Sequence, residues 1–240
     1  MKSEQQSVAG AMWVERCKKA GVFIRRQVND VEGIALLNVR IRNINYGDQF
    51  AMDDPYGSDF GGDDYIASFL RGRWPKVEKP TPLTFVYQGY RYVEAVDPKD
   101  GQRYRYTGGM RDVERVTSHM SGDAAGQRFL HREFVLDRVP ASGLRPRYGV
   151  SFEDISTPEE RQHWIAGSSL KVIDLETKEV IAERIGYMVD RGQGNRSGGR
   201  SPWLRAASYS CPRFRGDGAS DQTGQTARFV EQVLQPIKGE

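Results

Sequence analysis

The stretch LKVIDLETKEVIAERIGYMV, residues 170–189, decides the fold class. Leu170–Leu175 and Val180–Val189 are aliphatic, β-branched runs on either side of the polar turn Glu176-Thr177-Lys178-Glu179, the pattern of two antiparallel strands closed by a hairpin. Just upstream, Thr157-Pro158-Glu159-Glu160 reads as a helix start. Thr157 stands as N-cap, Pro158 at the first helical position and Glu160 as the return arm of a capping box, with Gly167 as the expected stop. Further out, Tyr148–Phe152 and Phe129–Val139 read as strands. Tyr90–Val96 and Arg103–Thr107 form another expected hairpin, turned through Asp97-Pro98-Lys99-Asp100-Gly101. The polar, glycine-bearing segment 108–127 is expected to be a loop.

Toward the N-terminus, prolines 75, 80 and 82 make Trp74–Pro82 an exposed connector. Residues 64–71 are expected to be helical, with Asp63 or Asp64 as N-cap, Ile66, Phe69 and Leu70 on one face, and Gly72 as terminator. Val22–Val28 and Gly33–Ile41 read as strands joined at Asn29-Asp30. Trp13, Cys17 and Ala20 share one face of a helix over 10–20. Val230, Val233, Leu234 and Ile237 mark a last helix, starting near Thr223 or Thr226 and ending at Pro236. The expected fold is α+β: one domain over 10–238, mainly antiparallel hairpins with short flanking helices, after a disordered or expression-derived tail at 1–9.

Composition narrows the function. The 240 residues carry 35 basic and 32 acidic side chains, a net charge of +3, which is too balanced for a dedicated nucleic-acid binder. No apolar run approaches the roughly 18 residues that span a bilayer. The N-terminus has no apolar signal segment, which points weakly to the cytoplasm. Three scattered histidines (119, 131, 163) and two cysteines give no zinc spacing, and the Gly-x-Ser-x-Gly elbow is missing. No catalytic residue, metal or cofactor is expected.

Two loops stand out by charge. Residues 45–64 hold six aspartates (48, 53, 54, 59, 63, 64) and no basic residue, whereas 191–215 hold six arginines and no acid. The Asp48–Asp64 loop permits an alternative reading as an envelope enzyme or a carbohydrate- or calcium-binding module. The arginine loop permits phosphate contact, although the Walker spacing is absent. The two loops are also able to neutralise one another. Cys17 and Cys211 are open to two readings, a bond joining the chain ends or two buried thiols.

Read together, NYGDQFAMDDPYGSDFGGDDYIASFLRG (45–72), YVEAVDPKDGQRYRYTG (92–108), PRYGVSFEDISTPEERQHWIAGSSLKVIDLETKEVIAERIGYMVDRGQG (146–194) and GGRSPWL (198–204) resemble a family of small bacterial immunity proteins. Members are encoded beside type VI secretion lipase effectors of the phospholipase class. The resemblance runs from about Cys17 into the last helix and is most specific over Tyr148–Gly194. It implies a non-catalytic partner, one that occludes a cognate secreted lipase toxin in the periplasm. It also favours the Cys17–Cys211 disulfide. The signal or lipidated cysteine common in the family is not in this sequence. The expected toxin-binding surface is the acidic loop, through Asp53, Asp54, Tyr56, Asp59 and Phe60, with aromatic anchors among the charges. The same rings are equally able to pack in the protein's own core.

Overall fold

A computed structural model of the chain describes residues 2–41, 52–81, 84–117, 126–214 and 219–238. In chain order the elements are α1 (Lys2–Cys17), β1 (Gly21–Ile24), β2 (Val28–Val31), β3 (Gly33–Leu36), α2 (Asp63–Ala67), β4 (Tyr92–Val96), β5 (Arg103–Val116), β6 (Arg128–Pro140), β7 (Tyr148–Asp154), α3 (Pro158–Gln162), β8 (Ile165–Asp174), β9 (Glu179–Val189), α4 (Pro202–Ala206), β10 (Ser210–Cys211), α5 (Ala219–Gln222), α6 (Gln225–Val233) and β11 (Leu234–Pro236). The fold is α+β. One mixed sheet runs β1-β9-β8-β7-β3-β4-β5-β6, with β10 also on β9.

The β8–β9 hairpin forms with Ile165 opposite Val189 and Asp174 opposite Glu179, interrupted by a bulge after Val172. Alternation along these strands sends even-numbered residues of β8 to one face and odd-numbered ones to the other. The even face carries Leu170 and Val172 against α2 and α6, in a core with Ile34, Val93, Tyr65, Phe69, Phe229 and Val233. On the odd face, Ile165, Tyr187 and Val189 take the apolar stripe of α1, Ala9, Met12 and Trp13.

Several elements depart from the sequence expectations. β1 and β3 do not form a hairpin: β1 pairs with β9, and β3 lies between β4 and β7, parallel to both. Gly33-Ile34-Ala35-Leu36 is buried at every position, as suits a central parallel strand covered on both faces. The segment expected as loop after Thr107 continues β5 to Val116. Gly108 there is a contact position, where a Cβ would stand 2.5 Å from the Phe134 ring, whereas a Cβ on Gly109 would meet nothing within 4 Å. Gly167 does not stop α3 but lies in β8, where the Tyr187 ring fills its Cβ position at 2.4 Å. The N-cap of α2 is Gly62, and Asp63 and Asp64 fall in the first turn, where carboxylates suit the helix dipole. The segment expected as a tail is helical from Lys2, in keeping with the helix-favouring Glu4, Gln5, Gln6 and Ala9. By contrast the α3 capping box forms as read, with Thr157 Oγ1 accepting from Glu160 N at 3.2 Å and Glu160 Oε2 accepting from Thr157 N at 2.6 Å.

A fully buried carboxylate locks the end of β8. Asp174 accepts from Arg147 Nη2 at 2.9 Å, Arg26 Nη2 at 2.7 Å and Glu176 N at 3.2 Å. These donors, Arg147 foremost, lower its pKa to about 2. Because the folded pKa lies below the ordinary unfolded value of about 3.9, the stabilisation is complete above that value and is lost as pH falls through about 2. The stability gap between wild type and Asp174→Asn should therefore be widest near neutrality and close between pH ~5 and ~2. Urea midpoints of both proteins across that range test this, and a gap independent of pH would contradict it.

Candidate functional site

The residues expected to meet a partner are largely inside the molecule. Tyr56 is 1 % exposed, and Asp54 and Asp59 are buried with it, while Phe60 is half-buried and Asp53 exposed. Asp54 pairs with buried Arg40 at 2.9 Å and accepts from Gly57 N at 3.0 Å and Ser168 Oγ at 3.2 Å. Asp59 reaches across the fold to α6: its carboxylate accepts from Gly224 N at 2.5 Å and Thr226 N at 2.9 Å. These are amides of the first helical turn, left without partners inside the helix, and a carboxylate there also meets the positive end of the dipole. The acidity of this loop is thus a folding device at 54 and 59. The expectation of an exposed aspartate surface fails there, because Asp54 and Asp59 are almost fully buried and their carboxylates are engaged within the fold. Asp48 lies outside the described residues.

The arginine loop is likewise tied down. Asp190, at the end of β9, accepts from Gly192 N at 3.0 Å, Gly194 N at 2.8 Å and Arg200 Nη1 at 2.8 Å. Burial works to raise the Asp190 pKa, yet Arg200 and the two glycine amides hold it below the usual carboxylate range. The two loops do meet, through apolar side chains: Trp203, Ala206 and Ala207 pack with Met52 and Tyr56. Beyond them Cys211 is joined to Cys17 by a disulfide with the Cα atoms 5.6 Å apart.

What projects instead is the β5–β6 ribbon. The two strands pair from Tyr104–Pro140 to Val116–Arg128, but only Arg103–Tyr106 also pair with β4. Phe134 and Leu136 hold the base of the ribbon against the core, and beyond them residues 111–116 and 128–133 form a two-stranded arm of about 20 Å, at roughly 3.4 Å per residue. The ribbon's charges are internally matched: Arg111 with Asp137, Arg115 with Glu133, Arg128 with Glu114 at 2.9 Å and Arg132 with Asp112 at 3.5 Å. Left between these pairs are the exposed apolar side chains of Met110, Val116, Phe129 and Leu130, the last 73 % exposed. The sequence announces β6, as Phe129–Val139, but not the extension of β5 past Thr107 that pairs with it. Its one signal was the complementary charge order of Arg111-Asp112 and Glu114-Arg115 against Arg132-Glu133, which reads as a solvated loop until the register is known.

Comparison of the chain with protein-family models, curated proteins and solved structures finds no match. The chemistry of the site thus rests on the residues themselves. Among the described residues no three His, Cys, Asp or Glu side chains gather in a way that would hold a metal ion. Of the histidines, His131 faces outward on β6 and His163 caps the end of α3, while His119 lies outside the described residues. No described helix is long and apolar enough to cross a membrane.

Proposed function

We propose that the chain is an immunity protein that binds and neutralises a secreted lipase of the type VI phospholipase class, and that the β5–β6 arm makes the contact. The arm carries this reading. An isolated two-stranded ribbon with both edges open is marginal in water and invites association, so exposing one together with four large apolar side chains suits a partner-binding element. Because its ion pairs are satisfied within the ribbon, Met110, Val116, Phe129 and Leu130 remain to supply buried contacts. The resemblance over Tyr148–Gly194 supplies the nature of the partner. The disulfide fits an oxidising compartment such as the periplasm.

Co-expression with a secreted lipase effector of that class, followed by pull-down and a lipase assay, tests the reading. Wild type should form a stoichiometric complex and abolish lipolysis. Val116→Glu with Leu130→Glu should weaken binding about thirtyfold or more, as for hot-spot residues costing 2 kcal/mol, with the melting temperature unchanged because both side chains are more than half exposed. Absence of a complex together with undiminished lipolysis would refute the function. Full protection by the double variant would refute the arm.

A further inference from the structure

Two arginines are buried among the described residues, and they are treated differently. Arg40, 3 % exposed, has the carboxylate of Asp54 at 2.9 Å. Arg184, on β9 and 9 % exposed, has no carboxylate at ion-pair distance among the described residues. Its Nη2 donates to the neutral amide oxygen of Gln225 at 2.5 Å, and its Nε has no hydrogen-bond partner. Asp59 and Asp54 act on it only from beyond ion-pair distance, and taking a guanidinium out of water with so little direct compensation costs several kcal/mol, so such a group marks a place where negative charge is wanted. Burial correspondingly presses its pKa downward.

Arg184 lines a cavity of about 270 Å³ between α6, β1 and the segment 212–214. Arg213 and Arg228 line the same cavity, and among the described residues Asp221 is its one acidic wall residue. Arg228 uses Nη1 for Asp221 at 2.9 Å, while its Nε is again without a partner. Among the described wall residues, three guanidiniums against one carboxylate leave two positive charges in excess. Phe214 and Phe229 complete the wall beside them.

We propose that this cavity is a phosphate site, taking inorganic phosphate or the phosphate group of a small monoester. A dianion of about −1.5 to −2 at neutral pH matches the excess charge, and its oxygens suit guanidinium forks better than a single point charge would. The aromatic wall leaves room for a compact organic group. This site is separate from the β5–β6 arm and does not depend on toxin binding.

The full-length, disulfide-bonded protein should be titrated with sodium phosphate, and separately with phenyl phosphate, against sodium chloride of equal ionic strength. Calorimetry should show saturable binding, and both phosphates should raise the melting temperature above the chloride control. Tighter binding of phenyl phosphate assigns the site to esters, and equal affinity assigns it to the inorganic ion. Arg184→Gln should weaken binding at least about tenfold, the usual size of a lost charge-assisted hydrogen bond. Should Arg184→Gln fail to fold, exposed Arg213 offers a second route: Arg213→Gln should keep the melting temperature in chloride and lose affinity severalfold. Lack of any phosphate-specific effect in wild type, or undiminished binding in the folded variants, would overturn the proposal.

Discussion

Replacing Cys17 with serine is expected to remove about 5 kcal/mol of stability, from the loop-closure entropy of a bond whose cysteines are 194 residues apart. Natural domains of this kind have only about 5–15 kcal/mol in total, so the variant should be close to unfolding at 37 °C. The bond matters this much because it joins two elements with modest packing of their own. The two residues of β10 pair only with Met188 and Tyr187, and α1 rests on the sheet through Ala9, Met12 and Trp13. The experiment compares urea midpoints with and without reductant. Wild type should lose most of its margin on reduction, and Cys17→Ser should be low in both conditions and indifferent to reductant. Equal midpoints for oxidised and reduced wild type would show that the bond contributes nothing, and would remove the main structural reason for placing the protein in an oxidising compartment.

Much of the sheet was legible because its strongest strands are locally patterned. The 170–189 hairpin, the turn at Asp97–Gly101 and the Thr157–Glu160 capping box are set by residues within a few positions of one another, and each forms as read. The misreadings share a cause of the opposite kind. β3 was assigned to a neighbour in sequence when its partners are β4 and β7, brought in by long crossovers that no local signal announces. Gly108 and Gly167 read as breakers because a sequence cannot show the rings of Phe134 and Tyr187 that occupy their missing side chains. The acidic loop was misread on the same ground. Asp59 resembles a solvated charge until α6, whose first amides lie 165 and 167 positions away, delivers its unpaired N–H groups.

Tyr56→Ala should cost about 3–5 kcal/mol, the range for deleting a fully buried aromatic side chain. The ring lies against β9, where it takes the space a side chain at Gly186 would need: a Cβ there would be 1.9 Å from Cζ. On its other sides it meets Phe214 at 5.1 Å between centroids and donates its hydroxyl to Pro212 O at 3.3 Å. Its own carbonyl accepts from Gln222 Nε2 at 3.0 Å, which ties the loop to the segment leading into α6. Gly186→Ala attacks the same contact from the strand side. It adds one methyl and deletes nothing, so a comparable loss would show that the close approach of ring to backbone holds the loop in place. Phe60→Ala supplies the contrast, because Phe60 is only half-buried, against Trp74 at 5.7 Å, and should fall less. Thermal and urea unfolding of the three variants rank them. Were Tyr56→Ala to keep the wild-type melting temperature while losing a partner, the ring would belong to an interface after all. A steep fall in both Tyr56→Ala and Gly186→Ala would instead fix the acidic loop as a wall of the core, and the proposed contact would then rest on the arm alone.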